Sequence, residues 1–228
     1  MSTYKQIKGV TVQTRDSDPV VGGVAGGSWS AGGTTGTTAQ ARFGFGTLTA
    51  GVACGGNTGP GSMTGNTEKY DGTSWTESGD LNLNRNNEAS GGGGTQTAGI
   101  VAAGNTPGVT GDTETFNGSA WSEVTDLNQT RSSMSSDGTS TAFIGAGGTA
   151  GGGTRYDKTE IYNGSSWSEE AELNTSRGRQ GFFGISTACI SAGGSAPSSS
   201  NAVEQWNGSS WTEIAEINTA REAMARAG

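Results

Sequence analysis

TEIYNGSSW (residues 159–167) reads as a β-hairpin: a short run ending in an aromatic, an Asn-Gly step, and a Trp on the outgoing run. Asn-Gly supplies the two positive φ angles that a type I′ turn demands, so the stretch predicts two antiparallel strands closely joined. It returns as TEKYDGTSW (67–75), TETFNGSAW (113–121) and VEQWNGSSW (203–211). With one Trp further upstream, the series is Trp29, Trp75, Trp121, Trp167 and Trp211, spaced by 46, 46, 46 and 44 residues.

Outward from each hairpin the neighbouring segments also repeat. Upstream lie TAGVACGGN (49–57), TAGIVAAGN (97–105), TAFIGAGGT (141–149) and TACISAGGS (187–195), runs of small and β-branched residues ending at glycine. Such runs suit buried strands with a close-packed exit. Downstream, a crossover passes through Leu81, Leu127, Leu173 or Ile217 to Arg85, Arg131, Arg177 or Arg221. A glutamate recurs two residues before each hairpin aromatic: Glu68, Glu114, Glu160 and Glu204. Every unit offers four short strands and no helical period longer than a turn. A repeat of this length predicts an all-β propeller built one four-stranded blade at a time. Because the Arg and Glu sets are copied into nearly every unit, they predict Arg–Glu or Arg–carbonyl contacts holding successive blades. The Trp and aromatic pairs predict core.

Composition narrows the class. The 228 residues include 42 Gly and only 4 Pro, without the triplet period of collagen. Hydrophobic residues are 30%, low enough to suggest disorder on composition alone, but their regular placement argues for a fold. The formal net charge is -8, with no cluster of Lys and Arg. Nucleic acid needs several cations on one face, so it is not an expected partner. Cys54 and Cys189 form neither a CxxC pair nor a disulfide framework and predict small buried thiols. The N-terminus lacks a signal-like apolar run and no stretch of 18 apolar residues occurs, so the expectation is synthesis in a cytoplasm without membrane attachment.

The chain resembles the kelch family of propellers, whose repeat has a double glycine, then an aromatic, then a Trp. Here these are Gly55-Gly56 with Tyr70 and Trp75, Gly147-Gly148 with Tyr162 and Trp167, and Gly193-Gly194 with Trp206 and Trp211. The second unit departs with Ala103-Gly104. The chain reads as a single kelch-like domain over residues 1–228, and the four periods between Trp29 and Trp211, with segments left over at both ends, predict about five blades. Residues 221–228 would supply the first strand of a blade whose other three come from the degenerate unit 1–29, closing the ring from both termini. The competing reading makes residues 1–20 an extended arm.

The chain has no histidine, which removes the commonest general base and the commonest metal ligand. Galactose oxidase resembles it in fold only, since that copper centre needs two histidines. The runs GGGG (91–94) and GGG (151–153) lack a following helix and read as packing and turns, not phosphate cradles. Glu169, Glu170 and Glu172 read as a solvated acidic crossover. Asn117, Asn163 and Asn207 begin N-G-S strings, for which the turn is already a sufficient explanation. No catalytic, cofactor or metal residue is expected.

The N-terminal STYKQIKGVTVQTRDSDP, followed by Trp-centred Gly/Ser/Thr/Asn-rich repeats, resembles virion proteins of marine tailed bacteriophages. That resemblance implies a non-enzymatic virion structural protein on the capsid exterior or tail. It would be present in many copies, contacting other virion proteins and host-surface glycan. Two alternatives stand beside it: a carbohydrate-binding, lectin-like propeller and an intracellular kelch interaction adaptor.

Overall fold

The repeat unit of the sequence folds as one antiparallel sheet, four times over. The computed structural model describes residues 32–87, 91–196 and 198–224. The chain divides into two units, Met1–Gly32 and Gly33–Gly228, and the architecture below belongs to the second. The strands expected from residues 1–29, Trp29 among them, and the end of the expected C-terminal strand (225–228) lie outside the described residues.

Among the described residues there is no helix. The first sheet holds β1 (Phe43–Thr47), β2 (Ala50–Cys54), β5 (Thr67–Tyr70) and β6 (Trp75–Glu77), with a small hairpin β3 (Asn57–Gly59) and β4 (Ser62–Met63) inserted. The second runs β7 (Gly92–Thr95), β8 (Ala98–Ala102), β9 (Thr113–Phe116), β10 (Trp121–Val124). The third runs β11 (Ser135–Thr139), β12 (Ala142–Ala146), β13 (Thr159–Tyr162), β14 (Trp167–Glu170). The fourth runs β15 (Gly181–Ile185), β16 (Ala188–Ala192), β17 (Val203–Trp206), β18 (Trp211–Ile214). In each sheet the strands pair in chain order. The first strands β1, β7, β11 and β15 stand side by side in that sequence, so the arrangement is propeller-like.

Register places the repeated residues opposite one another: Tyr70↔Trp75, Phe116↔Trp121, Tyr162↔Trp167 and Trp206↔Trp211. These ring pairs sit 4.9–5.4 Å apart, within the favourable range for offset aromatic contact. The turn between them differs from expectation. Four residues intervene, and only the glycine takes a positive φ, 96–98° at Gly72, Gly118, Gly164 and Gly208. The preceding Asn or Asp keeps an ordinary φ because its side-chain oxygen accepts the N–H groups two and three residues on, as in Ser165 and Ser166 to Asn163 Oδ1 at 2.9 and 3.0 Å. A short side chain thus replaces the second strained backbone position, and the turn is an Asx turn, not type I′. The two-residue turns are elsewhere, at Leu48-Thr49, Gln96-Thr97, Ser140-Thr141 and Ser186-Thr187.

Among the described residues, apolar side chains do not gather in one core. They form three clusters, each between consecutive sheets. Phe43, Phe45, Val52, Cys54 and Leu81 meet Val101, Phe116 and Trp121. Ile100, Ala102, Ala103 and Leu127 meet Met134, Phe143, Tyr162 and Trp167. Ile144, Ala146 and Leu173 meet Phe182, Cys189, Trp206 and Trp211. The GGGG run makes this approach possible: a Cβ on Gly93 would lie 2.6 Å from the ring of Phe143. A modest apolar content suffices because each sheet face is shared with a neighbour.

Candidate functional site

Three crossovers each deliver an arginine into a socket formed by the third strand of the sheet being entered. Arg131 Nη2 donates to Glu160 Oε1 at 2.9 Å, and Nη1 donates to the carbonyl of Lys158 at 3.1 Å. The same carboxylate accepts Asn128 N–H at 2.7 Å, Asn128 Nδ2 at 2.9 Å and Gln129 N–H at 3.3 Å. Arg177 repeats the pattern with Glu204 at 2.7 Å and the carbonyl of Ala202 at 2.9 Å. Arg85 repeats it with Glu114 at 2.8 Å and the carbonyl of Asp112. All three ion pairs have fully buried side chains on both sides.

The backbone of the same arginines, and that of Arg221, ties the preceding sheet. Gly56 N–H donates to Arg85 O at 2.8 Å, Gly104 to Arg131 at 3.0 Å, Gly148 to Arg177 at 2.8 Å and Gly194 to Arg221 at 2.9 Å. One residue therefore grips two sheets: its carbonyl holds the sheet left behind and its guanidinium holds the sheet being entered. Trp indoles make a parallel tie, donating from Trp121, Trp167 and Trp211 to the hydroxyls of Thr67, Thr113 and Thr159 in the preceding sheets, at 2.9–3.1 Å.

Electrostatics follow from this burial. Desolvation pulls the Arg131 guanidinium down to about 10 and lowers Arg85 and Arg177 as well, against the opposing pull of their glutamates. A second, exposed glutamate sits opposite the buried one on each outermost strand: Glu77, Glu123, Glu169 and Glu213. Glu169 and Glu213 add to the field that keeps Arg131 and Arg177 charged. The sequence carries the signal for this set, a glutamate two residues after Trp75, Trp121, Trp167 and Trp211 on the solvent-facing side of the outgoing strand. Chemically, each carboxylate of the complete sockets is surrounded by donors and sealed from water. Such a group holds structure and is badly placed to move protons to a substrate.

The described residues place the remaining sequence positions as follows. Glu68 is buried, but its partner is Arg42 at 2.6 Å, not a member of the expected series. The period would put an arginine at Ala39; Arg42 enters the same socket from three residues later, donating to Ala53 O and Asn66 O at 2.9 and 3.1 Å. Arg221 has no carboxylate partner among the described residues and is exposed, its Nε donating to Thr219 O at 3.3 Å. Trp121, Trp167 and Trp211 are buried and Trp75 is half-buried. Glu169 and Glu170 lie on β14, where an acidic crossover was expected, and only Glu172 is in the crossover, paired with Lys158 at 2.6 Å. Cys54 and Cys189 are free and buried, and burial pushes both thiols up to about 12. Ala103 takes φ 63°, the conformation of Gly55, Gly147 and Gly193 at the same repeat position.

No protein-family model matches the chain, and no curated protein matches it.

Proposed function

We propose that this chain is a non-enzymatic structural component of a bacteriophage particle, on the capsid exterior or the tail. It works by contacts with neighbouring virion proteins and with host-surface glycan. The observation that carries this reading is the use of the repeated charges. The Arg and Glu residues copied from unit to unit are mostly spent inside the sheets, leaving solvent-facing turns of Gly, Ser, Thr and Asn and a rim of carboxylates. Such a surface suits polar docking in repeated copies, where weak contacts add through effective concentration. The Trp residues of the second to fourth sheets lie buried under neighbouring sheets, so glycan contact falls to the turns and not to these rings.

The same proposal takes the fold as a kelch-like propeller of five blades closed by strands from both termini. Support comes from a line of left-handed residues at Ala41, Ser133, Arg179 and Ala223, one period apart apart from the missing member at Asn87. Backbone bonds run along it: Asn87 N to Ala41 O at 3.0 Å, Arg179 N to Ser133 O at 3.1 Å and Ala223 N to Arg179 O at 2.9 Å. Asn87 Oδ1 accepts Ser133 N–H at 3.0 Å and completes the series. Five positions, not four, share this role, and the last belongs to the C-terminal segment.

The test is to search purified particles for the chain by mass spectrometry and to incubate the purified protein separately with particles lacking it and with host cells. The expected result is incorporation and binding to particles. Recovery only from infected-cell cytosol, with no binding to particles or cells, overturns the assignment.

A further inference from the structure

The three Asn-Gly turns hold their amides in one arrangement. Asn117 Oδ1 accepts Ser119 N, Ser119 Oγ and Ala120 N at 3.0, 3.0 and 2.9 Å. Asn163 Oδ1 accepts Ser165 N, Ser165 Oγ and Ser166 N at 2.9, 2.8 and 3.0 Å. Asn207 Oδ1 accepts Ser209 N, Ser209 Oγ and Ser210 N at 2.9, 3.0 and 2.9 Å. All three asparagines are exposed. The N–H groups of Gly118, Gly164 and Gly208 make no hydrogen bond to a described residue. In the first sheet an aspartate, Asp71, takes the same place and accepts Thr73 N, Thr73 Oγ1 and Ser74 N, each at 2.8 Å.

We propose that Asn117, Asn163 and Asn207 are sites of intramolecular deamidation in the folded protein. Base removes the proton of the glycine amide, whose nitrogen attacks the Asn Cγ. A C–N bond forms, the Cγ–Nδ2 bond breaks and ammonia leaves, closing a succinimide. Water then opens the ring to aspartate or isoaspartate, with no redox change. Three features favour the reaction here. The nucleophile is a glycine nitrogen with no side chain in the way and no competing hydrogen bond to a described residue. The oxygen that gains negative charge in the tetrahedral intermediate already faces two backbone N–H groups and a hydroxyl, the arrangement that stabilises an oxyanion. The product is provided for: Asp71 shows that a carboxylate in this position keeps the turn, and the backbone N–H of Ser74 together with Thr73 holds its carboxyl far below the usual range. Each conversion adds one negative charge at a hairpin tip.

The experiment is to age the full-length protein at mildly alkaline pH and follow each asparagine by peptide mass mapping in heavy-oxygen water, natively and in urea. Asn117, Asn163 and Asn207 are expected to convert at least an order of magnitude faster than Asn86, Asn105 and Asn174, and no more slowly in the native protein than in urea. Ser119→Ala should slow Asn117 alone, with the other two turns as internal controls. Conversion suppressed by an order of magnitude in the native state would show that the turns protect these amides and would overturn the proposal. The triple variant N117D/N163D/N207D is expected to melt with the parent; its unfolding would equally defeat the claim that the product is accommodated.

Discussion

Ala103 does a glycine's work. At φ 63° it sits where three units place glycine, and an L-residue there costs about 1–2 kcal/mol against an ordinary conformation. Its methyl is fully buried, and losing it forfeits about 0.8 kcal/mol of burial. Ala103→Gly is therefore expected to leave stability unchanged or raise it by up to about 1 kcal/mol, measured by urea denaturation; a loss above that would show that the methyl matters more than the strain. The two thiols set a pH limit. Each folded value lies near 12 against an ordinary 9.0, because burial opposes the thiolate. Above pH 9 the unfolded chain ionises first, so stability present below pH 9 falls as pH rises towards 12. The double variant C54A/C189A should lose most of this alkaline slope, whatever its stability at neutral pH.

Sheets in this fold are joined by ties that span two units, and the ties differ in kind. A buried ion pair is costly to break singly: Glu160→Ala should cost about 3–5 kcal/mol by leaving Arg131 buried without its carboxylate. Replacing both partners with apolar residues of similar volume, Arg131→Met with Glu160→Leu, should recover most of that loss. A double variant as unstable as the single would mean that Asn128 and Gln129, left without an acceptor, carry the cost. The Trp ties combine packing with a hydrogen bond. Trp121→Ala should cost about 3–5 kcal/mol, and Trp121→Phe, which keeps a ring but loses the donor to Thr67, should retain most of the stability. A loss under about 1 kcal/mol for the alanine variant, set against that burial range, would return the ring to the surface and to sugar stacking.

Taken whole, the described molecule is a row of four sheets whose first strands β1 and β15 each have one neighbouring first strand among the described residues. The C-terminal segment continues the row. Ile217 N bonds Asn201 O at 3.0 Å and Arg221 N bonds Ser200 O at 3.0 Å, as Leu127 bonds Gly111 and Arg131 bonds Thr110 in an earlier crossover. Met224 then lies against Gly181 and Gly193. Deleting residues 221–228 removes the Arg221 bond and the Met224 contact and, on the closed-ring proposal, exposes the edge of the strands supplied by residues 1–29. The truncated chain should melt lower and aggregate; a variant that melts with the parent would favour the reading of residues 1–20 as an arm.

How far this could be read from residues alone divides along a physical line. The period, the four strands of each described unit, the aromatic pairs and the buried glutamate were all legible, because they follow from alternation along a strand and from turn chemistry within a few residues. What the chain alone left open are the places where one pocket is filled from different points along it. Ala39 stands where an arginine was due, and Arg42 reaches the same glutamate instead. Gly99 leaves a gap that Phe45 of the preceding sheet fills, meeting Trp121 edge-on at 6.1 Å, whereas the third sheet uses its own Phe143 against Trp167. These sockets lie between two sheets, and their walls come from residues far apart in the chain. A period read along one dimension marks which positions repeat, but only packing between sheets decides which side chain occupies the space, since close packing selects for filled volume and satisfied charge and not for the address of the residue that supplies them.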